Sequence, residues 1–292
     1  MSMRKAGDSL LVAGVAISLF LPATAQPAAK KRLLFLTQCA FYKHDSLPAA
    51  ERAVVELGKE GGFDATVLEG YKQDADKLDL SFISAQYLAQ FDGLMMMTNG
   101  ELPLDDSQKR ALIDFVREGK GFVAVHNAPV TLYTYPPFGQ MLGGYFWKTF
   151  NGLARDPRTI FLKVEDRQHP ATRMLPERWE VAHEEFYQFG KAPWDPSRPE
   201  DNVGAGGQHI PIGFSRDKVH VLLSIDTERT DMTNRPPEWQ RGGDYPQAWY
   251  QDFGKGRSLY TSLGHSADTW SSNPLFRAHI LGALGWAMRI EN

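Results

Sequence analysis

The 292 residues carry 42% hydrophobic and 12% aromatic side chains, enough to bury a substantial core and incompatible with a disordered or fibrous chain. A formal charge of -3 gives no electrostatic footprint for nucleic acid or an anionic membrane surface. The single cysteine, Cys39, excludes an intrachain disulfide and a cysteine-based zinc site.

At the N-terminus, Arg4 and Lys5 precede the apolar run LLVAGVAISLFL at Leu10–Leu21 and the small residues ATA at Ala23–Ala25. A charged head, an apolar stretch too short to span a bilayer and a small-residue cleavage site read as a secretory signal peptide over residues 1–25; an uncleaved anchor is the competing reading. Cleavage before Gln26 leaves 30 basic against 34 acidic residues in a periplasmic or secreted protein, with no cysteine after the cleavage site to carry a lipid. Residues 26–32 read as a linker and 33–290 as one domain.

LLFLTQ, from Leu33 to Gln38, is a continuous apolar run of the kind buried on both faces of a parallel sheet. Asp45 or Ser46 is placed to cap a helix through LPAAERAVVELGKEGG, with Pro48 in its first turn and glycines at its end. The alternation continues with strands in FDATVLEG and DGLMMMTNG, a capped amphipathic helix in DDSQKRALIDFVREG, and a strand in FVAVH. This order predicts an α/β fold, a doubly wound and mostly parallel sheet flanked by helices.

From about Tyr133 the chain becomes rich in Pro, Gly and Trp. TIFLKVE, VHVLLSID, AWYQDFG and RSLYTSLG read as strands, some antiparallel, and NPLFRAHILGALGWAMR as a final helix capped by Asn273. Pro193–Gly207 reads as a long surface loop, and its GAGGQ lacks the strand-to-helix setting of a phosphate-binding loop.

Ligands of open parallel sheets bind beyond the carboxyl ends of the strands. Three of the eight histidines stand there: His44 after the first strand, His126 at the end of FVAV, and His265 after LYTSLG. His126 fills the tight strand-to-helix turn where many hydrolases place a serine or cysteine nucleophile, so proton transfer replaces nucleophilic attack as the expected chemistry. One such histidine is ordinarily hydrogen-bonded to a loop carbonyl; three at one sheet edge point to a site. In HEEFYQF, strand alternation puts His183, Glu185 and Tyr187 on one face and Glu184 on the other, unless the segment is a solvated edge strand. Cys39 reads as a buried, inert thiol. Trp147, Trp194, Trp239, Trp249 and Trp270 fall in the irregular regions, where tryptophans either stack on sugar rings or fill the core.

The motifs GKGFVAVHNAP, MLGGYF, HPATRMLP, HEEFYQF and FGKGRSLYTSLGHSADTW, in that order, resemble the ThuA-like family, named for trehalose utilisation. The resemblance runs from about Leu33 to the final helix. It implies a fold similar to class I glutamine amidotransferases and a sugar-related role, with histidine at the nucleophile position and hence no glutaminase activity. It points to His44, Asp45, His126, Glu185, Tyr187, Gly264 and His265. Family members often carry a histidine-proline pair after the LGG motif, whereas this chain has Trp147, Lys148 and Thr149. Lys148 in that place favours an anionic or keto-bearing ligand.

Three functions follow. In the first, His126, Glu185, His44 and His265 act as acid and base on an oxidised sugar or glycoside, with Asp45, Asn127, Lys148, Tyr187 and Trp249 binding it; a ring carbonyl acidifies the adjacent C–H, and donors near Tyr187 and Asn127 steady the enolate. In the second, His44, His126 and His265 ligate a divalent metal. The third is a carbohydrate-binding protein without turnover. A two-carboxylate glycosidase ranks below these, because no carboxylate pair is identified by spacing.

Overall fold

The computed structural model describes residues 29–70, 78–149, 158–190, 203–233 and 239–290. The expected leader, and most of the expected Pro193–Gly207 loop, lie outside these residues. Among them, no helix is long and apolar enough to cross a membrane.

The first half alternates as expected: β1 Lys31–Leu36, α1 Leu47–Gly61, β2 Phe63–Leu68, α2 Ala85–Leu88, β3 Gly93–Met96, α3 Asp106–Arg117 and β4 Gly121–Val125. The second half adds α4 Pro136–Leu142, β5 Phe146–Thr149, β6 Arg158–Val164, β7 Arg178–Glu184, β8 Tyr187–Phe189, β9 His220–Ile225, β10 Pro246–Phe253, β11 Gly256–Thr261, α5 Ala267–Ser272 and α6 Pro274–Met288.

Nine strands form one sheet in the order β2-β1-β3-β4-β11-β10-β9-β6-β7, and β5 pairs with β8 apart from it. The five strands from β2 to β11 are mutually parallel, and every pairing beyond β11 is antiparallel. Successive β1 residues feed opposite faces: Leu33 and Phe35 join a core beneath α1 and α6, while Leu34 and Leu36 join a second core with α3, α4, β5 and β8. This double burial explains the unbroken apolar run.

Helix ends follow local chemistry. Asp105 closes α3 with a reciprocal capping box to Gln108, and the Asn273 side chain accepts from the Phe276 N–H to start α6. Ser46 sits at the N-cap of α1 but makes no side-chain cap; its main-chain carbonyl accepts from Ala49 and Ala50 while its buried hydroxyl has no hydrogen-bond partner among the described residues. The backbone there is already helical, which turns the hydroxyl away from the helix N–H groups.

Candidate functional site

Because β1, β4 and β11 run parallel, their carboxyl ends open on one edge. Val125 pairs with Thr261, so His126 and Ser262 leave the sheet side by side. His126 takes a left-handed conformation, φ 50°, which costs a non-glycine residue about 1 kcal/mol and persists because the surroundings fix it. Its N–H donates to the Thr261 carbonyl at 2.8 Å, its own carbonyl accepts from Tyr260 Oη–H at 3.0 Å, and its ring Nδ1 lies 2.8 Å from the Ser262 carbonyl. A carbonyl only accepts, so Nδ1 carries the proton and Nε2 keeps a lone pair turned into the site.

Around that nitrogen the polar groups converge. His126 Nε2 lies 3.3 Å from His265 Nδ1 and 3.5 Å from Glu185 Oε2, and His265 Nδ1 lies 3.3 Å from Glu185 Oε2. His44 completes the group, its ring centroid 4.6 Å from that of His126, and one ligand atom from each of the four residues lies within 4.8 Å of the others. The Tyr187 hydroxyl donates to Glu185 Oε2 at 2.9 Å, and Asn127 Nδ2 sits 3.2 Å from His44 Nδ1.

Burial and mutual repulsion set the charges. Burial, with the charge of His265, pushes His44 down to about 3, and burial with the neighbouring histidines holds His126 well below the ordinary imidazole range. Burial also opposes charge on His265 and Glu185, yet their hydrogen bond and mutual attraction outweigh it, raising His265 and lowering Glu185. Charge is thus disfavoured on His44 and His126 and favoured on both partners of the His265–Glu185 pair.

Glu184 supports the cluster from behind. It is buried and accepts from the Gly264 N–H at 3.0 Å, the His265 N–H at 3.1 Å and the Thr269 hydroxyl at 2.8 Å, pinning the turn that presents His265; burial lifts it to about 7 against those donors. Gly264 has φ 112°, and a Cβ there would stand 3.1 Å from the Trp270 ring, so the turn needs glycine. In sheet order three strands separate β7 from β11, about 19 Å in a flat sheet, so the segment after Thr261 and the ordinary twist of the sheet together bring Gly264 to Glu184.

A cavity of about 560 Å³, within the usual size of small-ligand sites, opens against His44, Asn127, Glu185 and Tyr187. Phe41, Tyr42, Phe146, Trp147 and Lys148 line its walls. Glu185 Oε1 and Asn127 Oδ1 are buried there with no hydrogen-bond partner among the described residues, a standing cost of about 1–3 kcal/mol each that a ligand could relieve.

The family model described as ThuA, trehalose utilisation, matches residues 32–203 and 208–287. The chain belongs to the ThuA family. Two ThuA-like crystal structures share the fold: one from Bacteroides uniformis is 19% identical with a TM-score of 0.61, covering 91% of this chain and 95% of its own. Another, from Parabacteroides merdae, is 19% identical with a TM-score of 0.59, covering 89% of this chain and 90% of its own. A protein titled cytoplasmic from Salmonella typhimurium LT2 is 10% identical with a TM-score of 0.53, covering 88% of this chain and 99% of its own. No curated protein matches the chain.

Of the residues singled out in the sequence, this ThuA chain brings His44, His126, Glu185 and His265 together and sets Asn127, Tyr187 and Lys148 in the cavity wall. Asp45 is exposed and does not line the cavity; it only adds negative charge near His265. Trp249 is fully buried, donates Nε1–H to the Leu142 carbonyl at 2.9 Å and packs edge-on or tilted against Phe189, Phe214 and Tyr260, because α4 and β8 cover that face of β10. Trp239 and Trp270 are likewise core residues, whereas Trp147 borders the cavity.

The alternation expected for HEEFYQF breaks at His183, whose φ of 55° falls near the end of β7, where the pairing with β6 slips register. His183 is exposed while Glu184 and Glu185 are both buried, which is how the supporting role of Glu184 escaped a strand-based reading. Cys39 is buried 3.9 Å from Asn127 Nδ2, and burial pushes its thiol up to about 12, an inert neighbour of the site.

Proposed function

We propose that this ThuA-family protein holds a divalent metal ion with His44, His126, His265 and Glu185 and acts on a sugar or glycoside seated in the adjoining cavity. The observation that carries this reading is the triangle of 3.3, 3.3 and 3.5 Å between His126 Nε2, His265 Nδ1 and Glu185 Oε2. Ligands about 2.0–2.1 Å from a tetrahedral ion stand roughly 3.3–3.4 Å apart, so the three atoms already have the spacing of one face around it. Three imidazoles and a carboxylate suit zinc or a similar first-row dication.

The outer contacts support the same reading. His126 donates Nδ1–H to Ser262, Tyr187 holds Glu185, and Glu184 holds the backbone of His265, the pattern by which proteins orient metal ligands. Bound there, the ion supplies a Lewis acid for a sugar carbonyl or a water. Asn127, Tyr187 and Lys148 orient the sugar in the cavity, Lys148 offering positive charge to an oxygen that gains electron density.

The raised His265 beside the lowered Glu185 favours a second reading without metal. In it Glu185 or His126 takes the proton next to a ring carbonyl and His265 returns one to the leaving oxygen. Metal content and turnover of plain and keto glycosides, measured on one purified sample before and after chelation, separate the two. Stoichiometric metal with chelator-sensitive turnover supports the first; turnover without metal, lost in His126→Ala, supports the second. Sugar binding without turnover overturns both in favour of a binding protein.

The leader-like start supports export as part of this proposal, to the periplasm or beyond the cell. N-terminal sequencing of protein from the periplasmic fraction should begin near Gln26; an intact Met1 in the cytoplasmic fraction would refute it.

A further inference from the structure

Phe41 and Tyr42 are 50% and 48% exposed, the only aromatic side chains among the large exposed apolar ones of the described residues. Loop aromatics left in water are ordinarily mobile, yet the backbone that carries these two is clamped. Asn99 Oδ1 accepts from the Phe41 N–H at 3.1 Å and the Tyr42 N–H at 2.9 Å, and Asn99 Nδ2 donates to the Tyr42 carbonyl at 2.6 Å. Asn99 is itself buried, and the adjacent Cys39 and Asn99 are bridged in parallel beyond the ends of β1 and β3.

Both rings line the cavity, and Tyr42 meets His44 edge-on with centroids 4.8 Å apart. The platform therefore begins one ring beyond the histidine cluster. On its other side the Gly204–Gly206 backbone lines the same cavity. Gly206 has φ 68°, and a Cβ there would stand 3.5 Å from the Phe41 ring, so a longer side chain would cover that aromatic surface.

Two exposed rings on a held backbone, facing a wall of small residues, suit a pyranose ring, whose C–H face stacks on aromatic carbon. The backbone share of the ordering cost is already met in the fold, which favours such a platform. We infer that Phe41, Tyr42 and the Gly204–Gly206 backbone form a second sugar subsite, which takes the leaving-group ring of a two-ring glycoside while the first ring lies against His44, Glu185 and Tyr187. This inference rests on the sugar-site reading above and narrows it, because it makes the substrate a disaccharide or similar two-ring glycoside and not a free monosaccharide.

The test is titration calorimetry of the full mature protein with trehalose and with methyl α-glucoside, alongside metal analysis of the same samples. The wild type should bind trehalose at least about ten-fold more tightly than the methyl glycoside, and Tyr42→Ala and Phe41→Ala should each shrink that ratio several-fold. Tyr42→Phe, which keeps the ring, should preserve it. Equal affinity for the two sugars in the wild type, a ratio untouched by either alanine variant, or binding of neither sugar would overturn the inference. Metal content is read independently: a metal-free protein that still prefers trehalose keeps the subsite and sinks only the metal reading, whereas a metal-loaded protein without the preference does the reverse.

Discussion

The two halves of the large sheet contribute to the site by different rules. In the parallel half every strand finishes on the same edge, so β1, β4 and β11 deliver His44, His126 and His265 by direction alone. In the antiparallel half only alternate strands point that way, and β7 turns both Glu184 and Glu185 inward only through the bulge at His183. A parallel sheet collects side chains by topology, whereas an antiparallel one needs a specific bend.

That contrast can be broken from either side. On the metal reading proposed above, the largest effect is expected from the parallel half: His126→Ala removes the central nitrogen of the cluster, and turnover should fall by about a thousand-fold with loss of the metal. Retention of both would show that His126 is structural. From the antiparallel half, Glu184→Ala should weaken metal binding by about 10–100-fold, since the His265 turn loses its three hydrogen bonds while every ligand remains. Competition with a chelating dye reads this directly, and an unchanged metal affinity would free the turn from Glu184.

Stability sharpens the comparison further. α6 fastens the loop between β6 and β7, and a Cβ on Gly282 would stand 2.1 Å from the Pro170 carbonyl oxygen. Gly282→Ala should therefore cost about 2–3 kcal/mol in urea unfolding, although alanine alone favours a helix by about 1 kcal/mol. A stabilised variant would mean that this seam is loose.

The same seam predicts an acid-sensitive limb. His279 is fully buried, with Nδ1 2.7 Å from the Ala171 carbonyl, and burial pushes it down from 6.5 to about 4. The folded state then binds fewer protons than the unfolded state between those values, so stability rises with pH through that window and is lost as pH falls from about 6.5 to 4. His279→Gln should flatten this limb by up to about 3 kcal/mol, read from urea midpoints across pH. The smallest effect belongs to the parallel half: Asp105→Ala removes the capping box of α3 and should cost about 1 kcal/mol without altering turnover.

Legibility in the sequence follows the same divide. Strands buried on both faces write themselves as apolar runs, and caps such as Asp105 and Asn273 are local, so the parallel half and its helices could be read directly. The strand-end histidines could be read for the same reason. Glu184 could not, because one positive φ at His183 reverses the alternation on which that reading depended. Nor could Trp249 be assigned: its burial depends on α4 and β8 covering that face of β10, a matter of tertiary packing. Phe41 and Tyr42 gave no periodic signal at all, since their importance comes from a clamp by Asn99, 57 and 58 positions away in the chain.

The separation of the site's partners along the chain bears on how the protein folds. His126 meets His265 across 139 residues, Asn127 meets His44 across 83, and Gly264 meets Glu184 across 80. Each is a large loop closure, and since His126 and His265 follow β4 and β11, the cluster requires that pairing, itself a closure of similar length, to be in place. A fragment ending before His265 cannot make it, and metal or sugar added during refolding should slow unfolding far more than it speeds folding.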